Sequence, residues 1–109
     1  MDSFFYSRSL ILFLLDYYFS GGMVGDFNKH IIKIGKINWG FEKMSAMKAD
    51  IARALEMLDI DEKTVTALRH AGHTFYEITR IMHISKSSAI DIYQGAIVRM
   101  MVYLNGPVD

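Results

Sequence analysis

Between Glu62 and Leu104 the chain keeps helical apolar spacing with only two interruptions, one at Gly72-His73 and one at His83-Ile84-Ser85. Breaks this short leave room for turns and nothing larger, so the segment must fold as consecutive helices packed on one another. A first helix is predicted to start near Glu62, where Asp61 can accept from the free amides of the first turn. Its inner face is Val65, Leu68 and Ala71, and Gly72 ends it. The stretch Thr74-Phe75-Tyr76-Glu77 is a capping box: the Thr74 hydroxyl accepts from the Glu77 amide, and the Glu77 carboxylate reaches back to the Thr74 amide. A short helix to about Met82 follows. Ser85 caps the third helix, which meets no breaker before Asn105-Gly106-Pro107 apart from a tolerated Gly95.

The remainder of the chain is organised around these helices. The run Leu10 to Leu15 is bounded by Arg8 and Asp16. A spanning helix needs about 20 apolar residues, so this is read as a buried or interface helix and not a membrane segment. As a signal peptide it has too thin a basic region, and "DYYFSGG" is a poor cleavage site. Phe4, Phe5, Leu10, Leu14, Tyr17 and Tyr18 then need cover from the rest of the chain or from a second copy. "SGGMVG", residues 20–25, ends that helix. "HIIKIGKINWGF", residues 30–41, reads as a small β-hairpin turning at Gly35-Lys36, and Glu42 to Leu58 as a helix with Met47, Ile51, Ala54, Leu55 and Leu58 along one stripe. The fold class expected is mainly α: one domain over residues 1–109, with an apolar helix in 1–22, a hairpin plus helix in 26–60 and three helices in 61–105.

A chain of 109 residues fits a single domain, and an apolar content of 51% with eight Met and fourteen aromatics is enough for a packed core. The absence of cysteine excludes disulfides and thiolate metal sites, and nothing points to an oxidising compartment; a cytoplasmic protein is expected. Net charge is zero, which argues against strong sequence-independent attraction to nucleic acid. The charge is unevenly spread: residues 29–53 hold six cations against Glu42 and Asp50, a net +4, whereas residues 1–28 hold Arg8 against three acids, a net −2.

"FYEITRIMHISKSSAIDIY" resembles the helix-turn-helix of bacterial regulators, of the promoter-reading region of sigma factors and of resolvase-type DNA-binding domains, whose second and third helices often run E-I-A-x-x-L-G-I-S-x-S-T-V-x-x-I-Y. The likeness spans residues 75–94. Glu77, Ile78, Ile84, Ser85, Ser87, Ile92 and Tyr93 match directly, with Met82 and Ala89 as near equivalents of Leu and Val. It implies a tri-helical DNA-binding fold in which Ile78, Met82, Ile84, Ala89 and Ile92 face inward. It further implies that Lys86, Ser87, Ile90, Asp91 and Gln94 lie at the major groove of double-stranded DNA and that Ser85 also touches DNA, while Thr74, Tyr76 and Arg80 hold phosphates. The chain departs from the pattern at His83, in place of the turn Gly, and at Asp91, a carboxylate that phosphates repel unless it accepts from a cytosine amino group.

Other chemistry is sparse. His70, His73 and His83 with Glu77 offer zinc-type donors but meet no established spacing, so solvated or capping histidines are expected and no metal or cofactor. No nucleophile–base set, phosphate loop or paired-acid motif is visible, and no catalysis is expected. Lys29, Lys33 and Lys36 around Trp39 and Phe41 suit either a nucleic-acid contact or a protected hairpin edge. The function expected is a small transcription regulator. The alternative is an adaptor or inhibitor that binds RNA polymerase or another protein through the same fold. A homodimer is also expected, because Ala96, Ile97, Met100, Met101, Val102 and Leu104 make the last helix apolar on more than one face. The competing explanation is that the two ends of the chain cover each other.

Overall fold

The computed structural model describes residues 5–19 and 41–106. Within them lie five helices: α1 (Arg8–Phe19), α2 (Phe41–Glu56), α3 (Ile60–His70), α4 (Phe75–Met82) and α5 (Lys86–Asn105). The described residues form a mainly α structure and contain no strand. Apart from Phe41, the hairpin expected over residues 30–41 lies outside the described residues. So do Phe4, the break at residues 20–25, and Lys29, Lys33, Lys36 and Trp39.

α5 is the central element and packs against each of the other four helices. Its Ala96, Ile97 and Met100 have no exposed surface, and they meet Ile11, Leu14 and Leu15 of α1 and Ile51 of α2 in one continuous core. Each of these side chains except the small Ala96 gives roughly 1.5–3 kcal/mol on leaving water. The apolar run of α1 therefore serves as core: Leu10, Ile11, Phe13, Leu14 and Leu15 are all buried. No helix among the described residues is long and apolar enough to cross a membrane. The stripe expected on α2 is buried throughout, from Met47 to Leu58, and Met44 extends it by one turn.

The ends of the described chain are fastened together. The Tyr6 amide donates to Asn105 Oδ1 at 2.7 Å, and Asn105 Nδ2 donates to the Tyr6 carbonyl at 2.8 Å. The Tyr6 hydroxyl also donates to Asp50 Oδ2 at 2.5 Å, and Asp50 pairs with Arg53 on its other oxygen. To this extent the two ends do cover each other. Phe5, Val98, Val102 and Tyr103 nevertheless stay exposed.

Helix α3 begins earlier than expected. Its cap is Asp59, not Asp61: Asp59 Oδ1 accepts from the Glu62 amide at 2.9 Å while Glu62 Oε1 accepts from the Asp59 amide at 3.0 Å. The reciprocal pair satisfies two end amides, whereas Asp61 sits in the first turn, where a negative charge suits the helix dipole. Ala71 is likewise not an inner-face residue but the exposed C-cap; Thr66 is buried instead, with no hydrogen-bond partner for its hydroxyl among the described residues. The helix ends in a Schellman arrangement, His73 N–H to Leu68 C=O at 3.0 Å and Gly72 N–H to Arg69 C=O at 3.2 Å. Gly72 holds φ at 109°, a conformation that side chains with a Cβ rarely adopt.

Candidate nucleic-acid interface

The α4–α5 pair is built from its caps. Thr74 and Glu77 form the expected box, at 3.1 Å and 2.9 Å. The backbone hydrogen bond from Thr74, foremost, holds the exposed Glu77 carboxyl below the usual range, so it stays an anion at neutral pH. His83 follows α4 at φ 58°, ψ 45°, a left-handed C-cap in the position where the resembling sequences have Gly. Ser85 then caps α5 by accepting from the Ser88 amide at 3.1 Å. Ile78 and Ala89 lose all exposure where the helices meet, and Met82, Ile84 and Ile92 are half-buried against the core.

Three further contacts fix α3 against this pair. Glu62, besides closing its capping box, accepts from Arg99 Nη1 of α5 at 2.9 Å. Phe75 at the start of α4 lies edge-on to Tyr93 of α5, centroids 5.6 Å apart, and the Arg69 guanidinium of α3 lies 4.9 Å from its ring. His70 of α3 bonds to Tyr93, with Nε2 to the hydroxyl at 2.8 Å.

The residues expected at DNA fall into two groups. Lys86, Ser87, Asp91 and Gln94 are exposed on α5; spaced at three and four residues from Ser87 onward, they share a face. Ile90 is half-buried beside them. On α4, Tyr76 is 64% exposed and Arg80 is exposed with it, its guanidinium over the Tyr76 ring at 5.8 Å and Nη1 donating to the hydroxyl at 3.2 Å. This holds one cation outward with most of its donors unused. Thr74 keeps its hydroxyl proton available, because its oxygen only accepts within the capping box. Ser85 differs: its hydroxyl donates to Ser88 Oγ at 2.9 Å while accepting from the Ser88 amide, so it serves as a cap with no donor left for phosphate. The nine positions together hold Arg80 and Lys86 against Asp91, a net charge of +1.

Of the histidines expected to be solvated or capping, His70 departs. His70 has a side chain only 6% exposed and is bonded on both nitrogens, Nδ1 to Asp16 Oδ1 of α1 at 2.6 Å and Nε2 to Tyr93. A carboxylate can only accept, so the proton sits on Nδ1, and Nε2 of the neutral ring accepts a hydrogen bond from the Tyr93 hydroxyl. His73 Nδ1 lies 3.5 Å from Glu77 Oε1, and His83 is the left-handed cap. Among the described residues no three His, Asp or Glu side chains come together as a metal site would require. The clasp of Asp16, His70 and Tyr93 has no signature in sequence, since its members lie 54 and 23 residues apart. The only signal was an acid ending an otherwise apolar run.

No family model, curated protein or solved structure matches this chain.

Proposed function

We propose that the chain is a small helix-turn-helix DNA-binding transcription regulator acting in the cytoplasm. The observation that carries this reading is the α4–α5 arrangement: buried Ile78 and Ala89 at the crossing, a left-handed residue in the turn, and an exposed polar face of Lys86, Ser87, Asp91 and Gln94 on the second helix. A helix carrying such a face can enter the roughly 12 Å major groove with its first turns against base edges. Lys86 and Gln94 would donate to bases, Asp91 would accept from a cytosine amino group, and Ile90 would touch a thymine methyl. Arg80, Tyr76 and Thr74 would hold the backbone, leaving Ser85 to the cap. Two copies joined through Phe5, Val98, Val102 and Tyr103 would present two such helices to paired half-sites.

A protein-binding use of the same fold is the second reading, in which the partner is RNA polymerase or another protein. It is favoured by Tyr76 and Ile81, 64% and 50% exposed on α4, and by the small net charge of the face. Binding of the full chain to random duplex DNA at low and moderate salt separates the two. Micromolar or tighter affinity that falls as salt rises supports DNA, and no binding at low salt supports the protein partner.

A further inference from the structure

A cleft of about 300 Å³ opens between α1, α3 and α5, lined by Leu12, Asp16, Arg69, His70 and Tyr93. It holds two opposite charges that do not pair with each other. Asp16, its side chain 49% exposed, gives one carboxylate oxygen to His70, and no described residue bonds the other. Arg69 is held from the opposite side: Nη1 donates to the His73 carbonyl at 3.0 Å and the guanidinium lies over the Phe75 ring, which leaves most of its five donors unused. Each charge is thus fixed by neighbours that keep it away from its obvious partner. Leu12 supplies an apolar wall one helical turn from Asp16, and the buried pair of His70 and Tyr93, bonded to each other, forms the floor.

We propose that this cleft binds a small zwitterion of the amino-acid type, its ammonium on Asp16, its carboxylate on Arg69 and its carbon skeleton against Leu12 and the Tyr93 ring. A molecule carrying both charges satisfies both walls at once. A simple anion would leave Asp16 unmet and be repelled by it, and a simple cation would meet the same difficulty at Arg69. Volume permits it, since a cleft of about 300 Å³ has room for an amino acid with a small side chain. The floor residue Tyr93 belongs to α5, one position before Gln94.

The inference does not rest on DNA binding, and its test contains no DNA. The full chain is titrated with alanine, valine, alaninamide and propionate while the ring resonances of His70 and Tyr93 are followed by NMR. Saturable shifts are expected with alanine or valine, with alaninamide and propionate at least about tenfold weaker. Arg69→Gln should weaken the zwitterion by a similar factor, while alaninamide, no longer repelled by Arg69, binds at least as well as to the parent chain. Leu12→Phe, which narrows the cleft without touching a charge, should also weaken it and serves if Arg69→Gln does not fold. Absence of saturable shifts at millimolar concentrations of either amino acid overturns the proposal. So does propionate binding as tightly as alanine, or full binding by a folded Arg69→Gln.

Discussion

The Tyr93 hydroxyl sits 2.8 Å from Nε2 of His70, inside the three-helix unit, and His70 in turn is held by Asp16 of α1. One buried imidazole therefore joins α1, α3 and α5, with both ring nitrogens satisfied. Tyr93→Phe strands Nε2 where little water reaches it, and the expected cost is about 1–3 kcal/mol, read as a lower Tm. A Tm equal to that of the parent would show that the hydroxyl contributes nothing to the packing of α5.

The same tyrosine bears on alkaline stability. Burial, first, pushes the Tyr93 hydroxyl above its ordinary range, and burial with the Asp50 hydrogen bond does the same to Tyr6. A raised folded value favours the neutral form in the folded state. The contribution is thus complete below the unfolded value of about 10 and is lost as pH rises through the folded values. Denaturant midpoints should fall above about pH 10, and less steeply in Tyr6→Phe. An unchanged slope in that variant would contradict the assignment to Tyr6.

Thr66 is fully buried on α3, and its hydroxyl has no partner among the described residues. Thr66→Val keeps the shape and removes the stranded polar group, so stability should rise by about 1 kcal/mol. A fall in Tm would mean that the hydroxyl is satisfied.

Lys86 and Gln94 are exposed and make no hydrogen bond to other described side chains, whereas Ala89 has no exposed surface. Lys86→Ala with Gln94→Ala should weaken DNA binding while leaving Tm nearly unchanged, and Ala89→Asp should unfold the α4–α5 pair by burying an unpaired charge. Asp91→Asn should strengthen binding to random duplex, because it removes a carboxylate that phosphates repel. Intact binding in the Lys86 and Gln94 double variant would place the DNA contact elsewhere.

How much of this was legible in the sequence depends on the range of the interactions. Caps are local, so Thr74 with Glu77, the stop at Gly72, Ser85 and the left-handed His83 could all be read from a few residues. The inward stripe of α2 followed from period alone. Asp59 was passed over for Asp61 because both are acids close to the start of α3, and only the reach of Glu62 back to the Asp59 amide decides between them. The Asp16–His70–Tyr93 clasp and the Tyr6–Asn105 clasp, whose partners are 99 residues apart, depend on how helices pack, which no short pattern encodes.

Phe5, Val98, Val102 and Tyr103 remain 47–65% exposed around the end of α5. If they join two copies, sedimentation at micromolar concentration should give a mass that rises with concentration toward twice the 12.5 kDa of one chain. Val102→Glu should hold it at one chain with little change in Tm. A monomeric mass at every concentration would remove the dimer.

DNA binding is tested most directly by the affinity of the full chain for random duplex measured across a range of salt. With Arg80 neutralising a phosphate, log K should fall against log salt with a slope of at least about −1 per bound chain. The Arg80→Ala slope should be shallower by about 1. An affinity that ignores salt, or no binding at the lowest salt, would contradict the DNA reading and leave the α4–α5 face to a protein partner.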